Sequence, residues 1–165
     1  TLMMGSTPTG RDRDRDELWK KSMNAIGVKI DFIKQKWPEL LKMGRDGNQL
    51  QMWGVGWINN SGDGDAFVQL LYGPNAGQST LGRFRNADYD KAYVASKKVP
   101  PGPERDQLYA TMGKILRAYT PVDLDVYRIE NTVVRPWVGG YKKNTLFEHA
   151  WKFLDIDVPR QRAGR

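Results

Sequence analysis

The chain has 165 residues, a length that suits one domain or one lobe of a larger protein; 39% of them are apolar, and Lys and Arg outnumber Asp and Glu by 26 to 19 for a net charge of +7. The absence of cysteine and the presence of one histidine exclude disulfides, thiolate zinc sites, iron–sulfur clusters, cysteine nucleophiles and multi-histidine metal sites. No apolar run approaches the roughly 20 residues that span a bilayer, and the opening residues lack the features of a signal peptide.

The first third of the chain alternates strand and helix patterns. A short apolar strand is predicted over residues 1–5 and a half-buried strand over 28–32. A brief helix follows, beginning at Pro38 and ending at Gly44 or Gly47. The helix between the two strands carries four apolar side chains at helical spacing: Leu18, Trp19, Met23 and Ile26. A mostly apolar strand over 50–57 follows. This order favours an α/β sheet with parallel neighbours, in which the strand over 50–57 is central.

The second half is predicted to contain two helices and then an extended region. Asn86 is the N-cap candidate of a helix over 87–98, and the helix after it carries a clean amphipathic stripe. Beyond Pro121 the pattern turns extended. We expect the stripe to be buried core; it comprises Leu108, Met112, Ile115, Leu116 and Tyr119.

The positive charge is spread along the chain rather than gathered on one helix. The densest charged stretch, 11–17, alternates in sign, which is typical of a solvated loop and helix start. Nucleic-acid binders concentrate basic residues on one face, so we expect no nucleic-acid partner. The basic residues 158–165 are expected to form a frayed tail after a domain over 1–157.

No motif for metal or cofactor chemistry is complete. The polar loop after Ile58 resembles the start of an EF-hand, but Leu70 stands where the closing bidentate Glu is needed. His149 could belong to an acid–base pair, although no serine or threonine is marked as its partner. We therefore expect no metal and no cofactor, and we keep a small-molecule hydrolase using His149 as the alternative function. A calcium or nucleic-acid module is the third choice.

Two tryptophans flank a pair of glycines at the end of the predicted central strand. Trp53 and Trp57 are four residues apart, so both would lie on one face of a strand. Ligands of open α/β sheets bind at the carboxyl ends of strands, where aromatic walls suit a small-molecule cleft. The two tryptophans could equally pack beneath a helix, and the residues alone leave both interpretations open.

Several short motifs occur in an order that resembles a known family. They are Ala25-Ile26-Gly27-Val28, Gly56-Trp57, Asn86-Ala87-Asp88-Tyr89-Asp90 and Val134-Arg135-Pro136-Trp137-Val138-Gly139-Gly140-Tyr141. In this order the chain resembles the C-terminal lobe of the family 5 extracellular solute-binding proteins, the oligopeptide- and dipeptide-binding components of bacterial ABC importers. The resemblance implies an α/β lobe of a two-lobed periplasmic binding protein fold, with a mixed sheet flanked by helices.

The resemblance also implies the function and its residues. The chain would help to capture a small polar solute, peptide-like or other, between itself and a missing N-terminal lobe, and deliver it to an inner-membrane permease without catalysis. Trp57 would form a cleft wall and Asn60 the polar anchor, with Asp63 and Arg45 as further ligand contacts. Peptide-binding members carry an Asp at the position of Asn60, where it pairs with the peptide's ammonium group. The amide keeps acceptor capacity but lacks that charge.

The same resemblance sets expectations for location and assembly. It implies a periplasmic protein, or one anchored by lipid at the cell surface, whose signal sequence is not in the given chain. A lobe without its partner would expose the apolar wall that normally meets the ligand and the opposite lobe. We therefore also expect that the fragment could dimerise through that face.

Overall fold

The computed structural model describes residues 1–47, 49–59, 62–78, 82–124, 129, 131–143 and 150–164. The chain divides into two compact units, each described by itself below. The first comprises Thr1–Trp57 and Gly64–Val122, and the second comprises Ile58–Asp63 and Asp123–Arg165. Across the described residues, no helix combines the length and apolar content needed to cross a membrane.

A parallel three-stranded sheet opens the first unit. Its elements in chain order are β1 (Leu2–Ser6), α1 (Gly10–Ala25), β2 (Ile30–Lys34), α2 (Trp37–Asp46) and β3 (Met52–Trp53). The strand order is β2-β1-β3, and β1 pairs in parallel with both neighbours. The alternating order and the parallel pairing confirm the predicted α/β class.

The predicted central strand over 50–57 is wrong in length and in place. Only Met52 and Trp53 pair with β1, and β3 lies at one edge of the described sheet with β1 in the centre. Residues 54–57 leave the ladder and are exposed. Glycine weakens a strand interior because it loses more backbone entropy on ordering and offers no side chain to pack. Gly54 and Gly56 therefore end the strand early.

Helix α1 packs on the sheet through a face that differs from the predicted one. Its buried residue is Asp16, and Leu18 and Ile26 of the predicted apolar stripe are 64% and 71% exposed. The half-buried positions Trp19 and Met23 lie on the same face as Asp16. Helical geometry places positions separated by three, four and seven residues on one side. The face that packs on the sheet, with Asp16, Trp19 and Met23, is therefore rotated about the helix axis from the predicted apolar face.

Helix α2 packs on the opposite face of the sheet, against Trp53. The Trp37 and Trp53 rings lie 5.8 Å apart between centroids, and a side-chain carbon at Gly44 would overlap the Trp53 ring. Leu40, 2% exposed, packs beside Gly5 of β1. The helix ends as predicted at Gly47, whose φ of 74° is the left-handed conformation that glycine adopts without strain.

A helical layer completes the first unit. It contains α3 (Asp65–Val68), short turns over Gln69–Leu71 and Gly73–Asn75, α4 (Ala87–Ser96) and α5 (Pro103–Tyr119). The side chain of Asn86 accepts a hydrogen bond from the Tyr89 amide at 2.9 Å, which confirms the predicted N-cap. Of the predicted core stripe, Met112 is buried, and Leu108, Ile115 and Leu116 are half-buried. Tyr119 is 65% exposed, so the prediction is wrong there. The buried cluster comprises Leu71, Tyr89, Ala92, Tyr93 and Met112.

The second unit contains a small antiparallel pair and a short helix. Strands β4 (Val138–Gly139) and β5 (Asp155–Ile156) pair with each other, a turn spans Ala150–Phe153, and α6 covers Val158–Ala163. Within this unit the Arg135 guanidinium lies 5.6 Å from the Trp137 ring centroid. The Trp137 carbonyl oxygen accepts a hydrogen bond of 2.9 Å from the Asp157 amide. Trp137 therefore anchors local structure, while the division of the chain at residue 157 stays a prediction.

Two helical glycines provide a matched test of the packing. Gly44→Ala is expected to lower the free energy of unfolding by about 1–3 kcal/mol, because the new carbon overlaps the Trp53 ring. Gly113→Ala in α5 meets no atom within 4 Å and is expected to raise it by about 0.5–1 kcal/mol, because alanine orders at lower entropic cost. Chemical denaturation of both variants measures the difference. Equal effects would contradict the close contact at Gly44.

Candidate functional site

The carboxyl ends of the three parallel strands meet at one edge of the sheet. Ser6 ends β1, Lys34 ends β2 and stands in register with Ser6, and residues 54–57 follow the end of β3. We call these residues the carboxyl edge. Open α/β sheets bind their ligands outside the carboxyl ends of strands, because the connecting loops leave a crevice there. The edge is therefore the first place to look for a site.

A buried carboxylate joins α1 to this edge. Asp16 is 1% exposed, and its Oδ2 accepts a hydrogen bond of 2.6 Å from the Ser6 hydroxyl. The Lys34 ammonium lies 3.8 Å from the same oxygen. A buried charge is costly unless it is paired and hydrogen-bonded, and Oδ2 meets both conditions. The other oxygen, Oδ1, is buried and receives no hydrogen bond from the described residues. The expectation that the charged stretch 11–17 is a solvated helix start is therefore wrong at Asp16.

A second carboxylate lies at the start of the same helix. The Thr7 hydroxyl donates a hydrogen bond to Asp12, and the Asp12 amide donates to the Thr9 side chain that caps α1. The hydrogen bond from Thr7 lowers the pKa of the Asp12 carboxyl, and the charge of Arg15 lowers it further. Arg15 Nη2 lies 3.2 Å from Asp12 Oδ1. The loop between β1 and α1 is thus held by a charged hydrogen-bond network.

The two tryptophans predicted at the end of β3 have different environments. Trp53 packs against α2, as the helix-packing interpretation predicts. Trp57 lies beyond the strand and is 42% exposed, with Val55 beside it 47% exposed. The exposed indole gives the carboxyl edge an aromatic surface that a ligand can contact. Its role as a cleft wall stays a prediction.

Arg45 is located in the last turn of α2, before β3 begins. Its side chain is exposed, and its carbonyl oxygen accepts a hydrogen bond from the Arg83 guanidinium, which supports the end of the helix. Trp57 follows the other end of β3. Among the described residues, no hydrogen bond, ion pair or ring contact joins Arg45 to Trp57. The structure does not bring these two predicted residues together.

The remaining predicted residues lie in or near the polar loop. The carbonyl oxygen of Asp63 accepts a hydrogen bond of 2.6 Å from the Asn59 side chain, and Asp63 is half-buried in the second unit. Asn60 and His149 lie outside the described residues. The Lys97 ammonium donates a hydrogen bond of 2.9 Å to the Asp65 carboxylate, and this hydrogen bond raises the pKa of Lys97.

A separate groove lies between α4 and α5. It has a volume of about 370 Å³ and contains none of the predicted site residues. Its walls mix three small or aliphatic side chains with three polar ones, and no buried charge points into it among its lining residues. The lining residues are Ala95, Val99, Glu104, Gln107, Leu108 and Thr111. The carboxyl edge, with its exposed tryptophan and ordered charges, is the stronger candidate.

Comparison with curated proteins finds relatives among bacterial binding proteins. The chain is 30% identical over 130 residues to a dipeptide-binding protein of Pseudomonas aeruginosa, covering 76% of this chain and 24% of the relative. It is 26% identical over 128 residues to the periplasmic murein peptide-binding protein MppA of Escherichia coli, covering 77% and 22% respectively. The chain thus spans about a quarter of the length of these relatives. No protein-family model matches it.

Comparison with solved structures finds the same fold. The Escherichia coli murein tripeptide-binding protein MppA superposes with a TM-score of 0.77 at 19% identity, over 94% of this chain and 30% of that one. HbpA2 of Haemophilus parasuis superposes with a TM-score of 0.70 at 17% identity, over 95% and 32%. These matches confirm the predicted fold class, that of a lobe of a periplasmic binding protein.

The Asp12 network predicts a specific acid sensitivity. A carboxyl whose pKa is lowered on folding stabilises the protein above its unfolded pKa of about 3.9, and this contribution is lost as the pH falls through the folded pKa. The free energy of unfolding is therefore expected to fall less in Asp12→Asn than in the wild type when the pH is lowered from 6 to 3. Asp14, 80% exposed, provides the matched control as Asp14→Asn. The prediction fails if denaturation shows the same acid sensitivity in Asp12→Asn and wild type.

Proposed function

We propose that the chain is one lobe of a family 5 extracellular solute-binding protein, a receptor that captures a small polar solute for an ABC importer. A second lobe elsewhere in the intact protein would supply the other wall of the cleft. The named relatives bind dipeptides and murein peptides, which supports a peptide-like solute. The same names describe binding proteins, which supports a receptor without enzymatic activity.

The observation that carries the proposal is the exposed Trp57 at the carboxyl edge. A large aromatic side chain left 42% exposed beside glycines offers flat apolar area to a ligand. Polar groups must then fix the ligand's orientation. We assign the anchoring role to Asn60, and secondary contacts to Asp63 and Arg45. Asp63 or Asp65 could supply the negative charge that Asn60 lacks, and Asp63 is the stronger candidate because Asp65 already pairs with Lys97.

The mechanism follows from a ligand that contacts two lobes. Contacts to both walls are complete in the closed form alone, so the bound solute shifts the population toward closure. The permease would then recognise the closed receptor. Periplasmic relatives support a periplasmic protein, and a lipid anchor at the cell surface is the other location compatible with this role. The hydrolase alternative with His149 gains no support from the relatives.

Removing the Trp57 indole tests the proposal. In native mass spectrometry, the intact protein purified from its host is expected to carry a small solute. Trp57→Ala is expected to reduce the fraction of protein with bound solute about tenfold or more, as for a buried aromatic anchor. Trp151→Ala, which removes a 70% exposed tryptophan, is the matched control and is expected to keep the solute. Equal occupancy in both variants would contradict the assignment of Trp57 to the binding wall.

A further inference from the structure

Two aspartates of the chain are each followed by glycine, at Asp46-Gly47 and Asp63-Gly64. Such a pair can rearrange without an enzyme, because a glycine has no Cβ to hinder attack of its amide nitrogen on the aspartate side-chain carbonyl carbon. The nitrogen loses its proton and the carboxyl group loses its hydroxyl, so one water leaves and a succinimide ring forms. Water then adds to either ring carbonyl. Addition at the side-chain carbonyl restores aspartate, and addition at the main-chain carbonyl gives isoaspartate.

The fold holds the amide of Gly47 at a helix end. Gly47 follows the last residue of α2, and its N–H donates a hydrogen bond of 2.9 Å to the Met43 carbonyl oxygen. For the ring to form, this amide must leave its acceptor and Asp46 must leave its helical conformation. Both changes cost free energy. We therefore expect the rearrangement at Asp46 to be slow in the folded protein.

The amide of Gly64 stands before a helix rather than at the end of one. Gly64 is the N-cap of α3, and the N–H of a cap lies outside the helical hydrogen bonds, which begin with the carbonyl of this residue. That carbonyl oxygen accepts the amide of Phe67 at 3.0 Å. Two residues earlier, Gly62 is exposed, and no atom of the described residues lies within 4 Å of where its Cβ would stand. The chain there has room for the movement that closes the ring.

A hydrogen bond to the same peptide group favours the reaction. The Asn59 side-chain amide donates a hydrogen bond of 2.6 Å to the Asp63 carbonyl oxygen. This oxygen belongs to the peptide bond between Asp63 and Gly64, and it takes up negative charge when the Gly64 nitrogen loses its proton. A donor placed where charge develops stabilises the charged form and the transition state that leads to it. Asn59 thus makes the attacking nitrogen easier to deprotonate.

We propose that Asp63-Gly64 is a site of spontaneous isoaspartate formation, and that the Asn59 side chain accelerates it. The packing of α5 favours glycine at residue 64, because a Cβ there would stand 3.0 Å from a carbon of the Tyr109 ring. Isoaspartate adds a methylene group to the main chain and shifts the carboxylate of Asp63, which we assign as a ligand contact. The rearrangement itself does not depend on the proposed receptor function.

Ageing of the purified intact protein tests the proposal. Incubation at mildly acidic pH is followed by peptide mapping with electron-transfer fragmentation, which distinguishes isoaspartate from aspartate of equal mass. Isoaspartate is expected to accumulate at residue 63 at least about fivefold faster than at residue 46, and Asn59→Ala is expected to slow it at residue 63 about fivefold, the rate equivalent of one hydrogen bond. Asn24→Ala, which removes an exposed side chain from α1, is the matched control and is expected to leave both rates unchanged.

The unfolded protein provides the reference. In concentrated urea both pairs lose their surroundings, so they are expected to rearrange at equal rates and Asn59→Ala is expected to have no effect. Asn59→Asp replaces the donor with an acceptor and is expected to slow the reaction in the folded protein as Asn59→Ala does, so the test does not depend on one variant.

The contradicting results concern rates alone and are independent of solute binding. Equal rates at residues 46 and 63 in the folded protein would overturn the proposed site. A rate at residue 63 that is unchanged or raised in both Asn59 variants would overturn the role of Asn59, because its hydrogen bond would then restrain the peptide group rather than activate it.

Discussion

The hydrogen bond between the Ser6 hydroxyl and the buried Asp16 carboxylate ties the first helix to the central strand. A charge removed from water costs several kcal/mol unless partners compensate for it. Here the compensation comes from Ser6 at 2.6 Å, with Lys34 and Arg15 each 3.8 Å from a carboxylate oxygen. These partners lie on different elements, so their contacts with one carboxylate fix the position of α1 relative to the carboxyl ends of β1 and β2. The arrangement of the carboxyl edge follows from that constraint.

The sequence was most informative where the signal was local. Proline at the start of α2, Gly47 at its end and Asn86 before α4 each act through backbone groups a few residues away, and all three predictions hold. The strand over 50–57 was overestimated, because the length of a strand depends on what lies beside it. The predicted buried face of α1 was also wrong, because the spacing of apolar residues cannot reveal a face whose most buried residue is the charged Asp16.

The candidate site shows the same division between local and long-range information. Trp57 was identified from its position at the end of a predicted strand and from a family resemblance, and the structure leaves it exposed. Arg15 could not be found this way. Arg15 comes close to Gly54 only when α1 packs on the sheet. An alternating charge run gives no indication of which arginine pairs with a buried carboxylate and which, like Arg13, pairs at the surface.

The binding surface that we propose consists of the strand ends and one exposed aromatic ring. A crystal structure of the intact protein with its co-purified solute tests this most directly. The proposed site predicts that the solute lies outside the carboxyl ends of β1 and β3, with its apolar part against Trp57. A solute bound instead in the groove between α4 and α5 would contradict the proposed site.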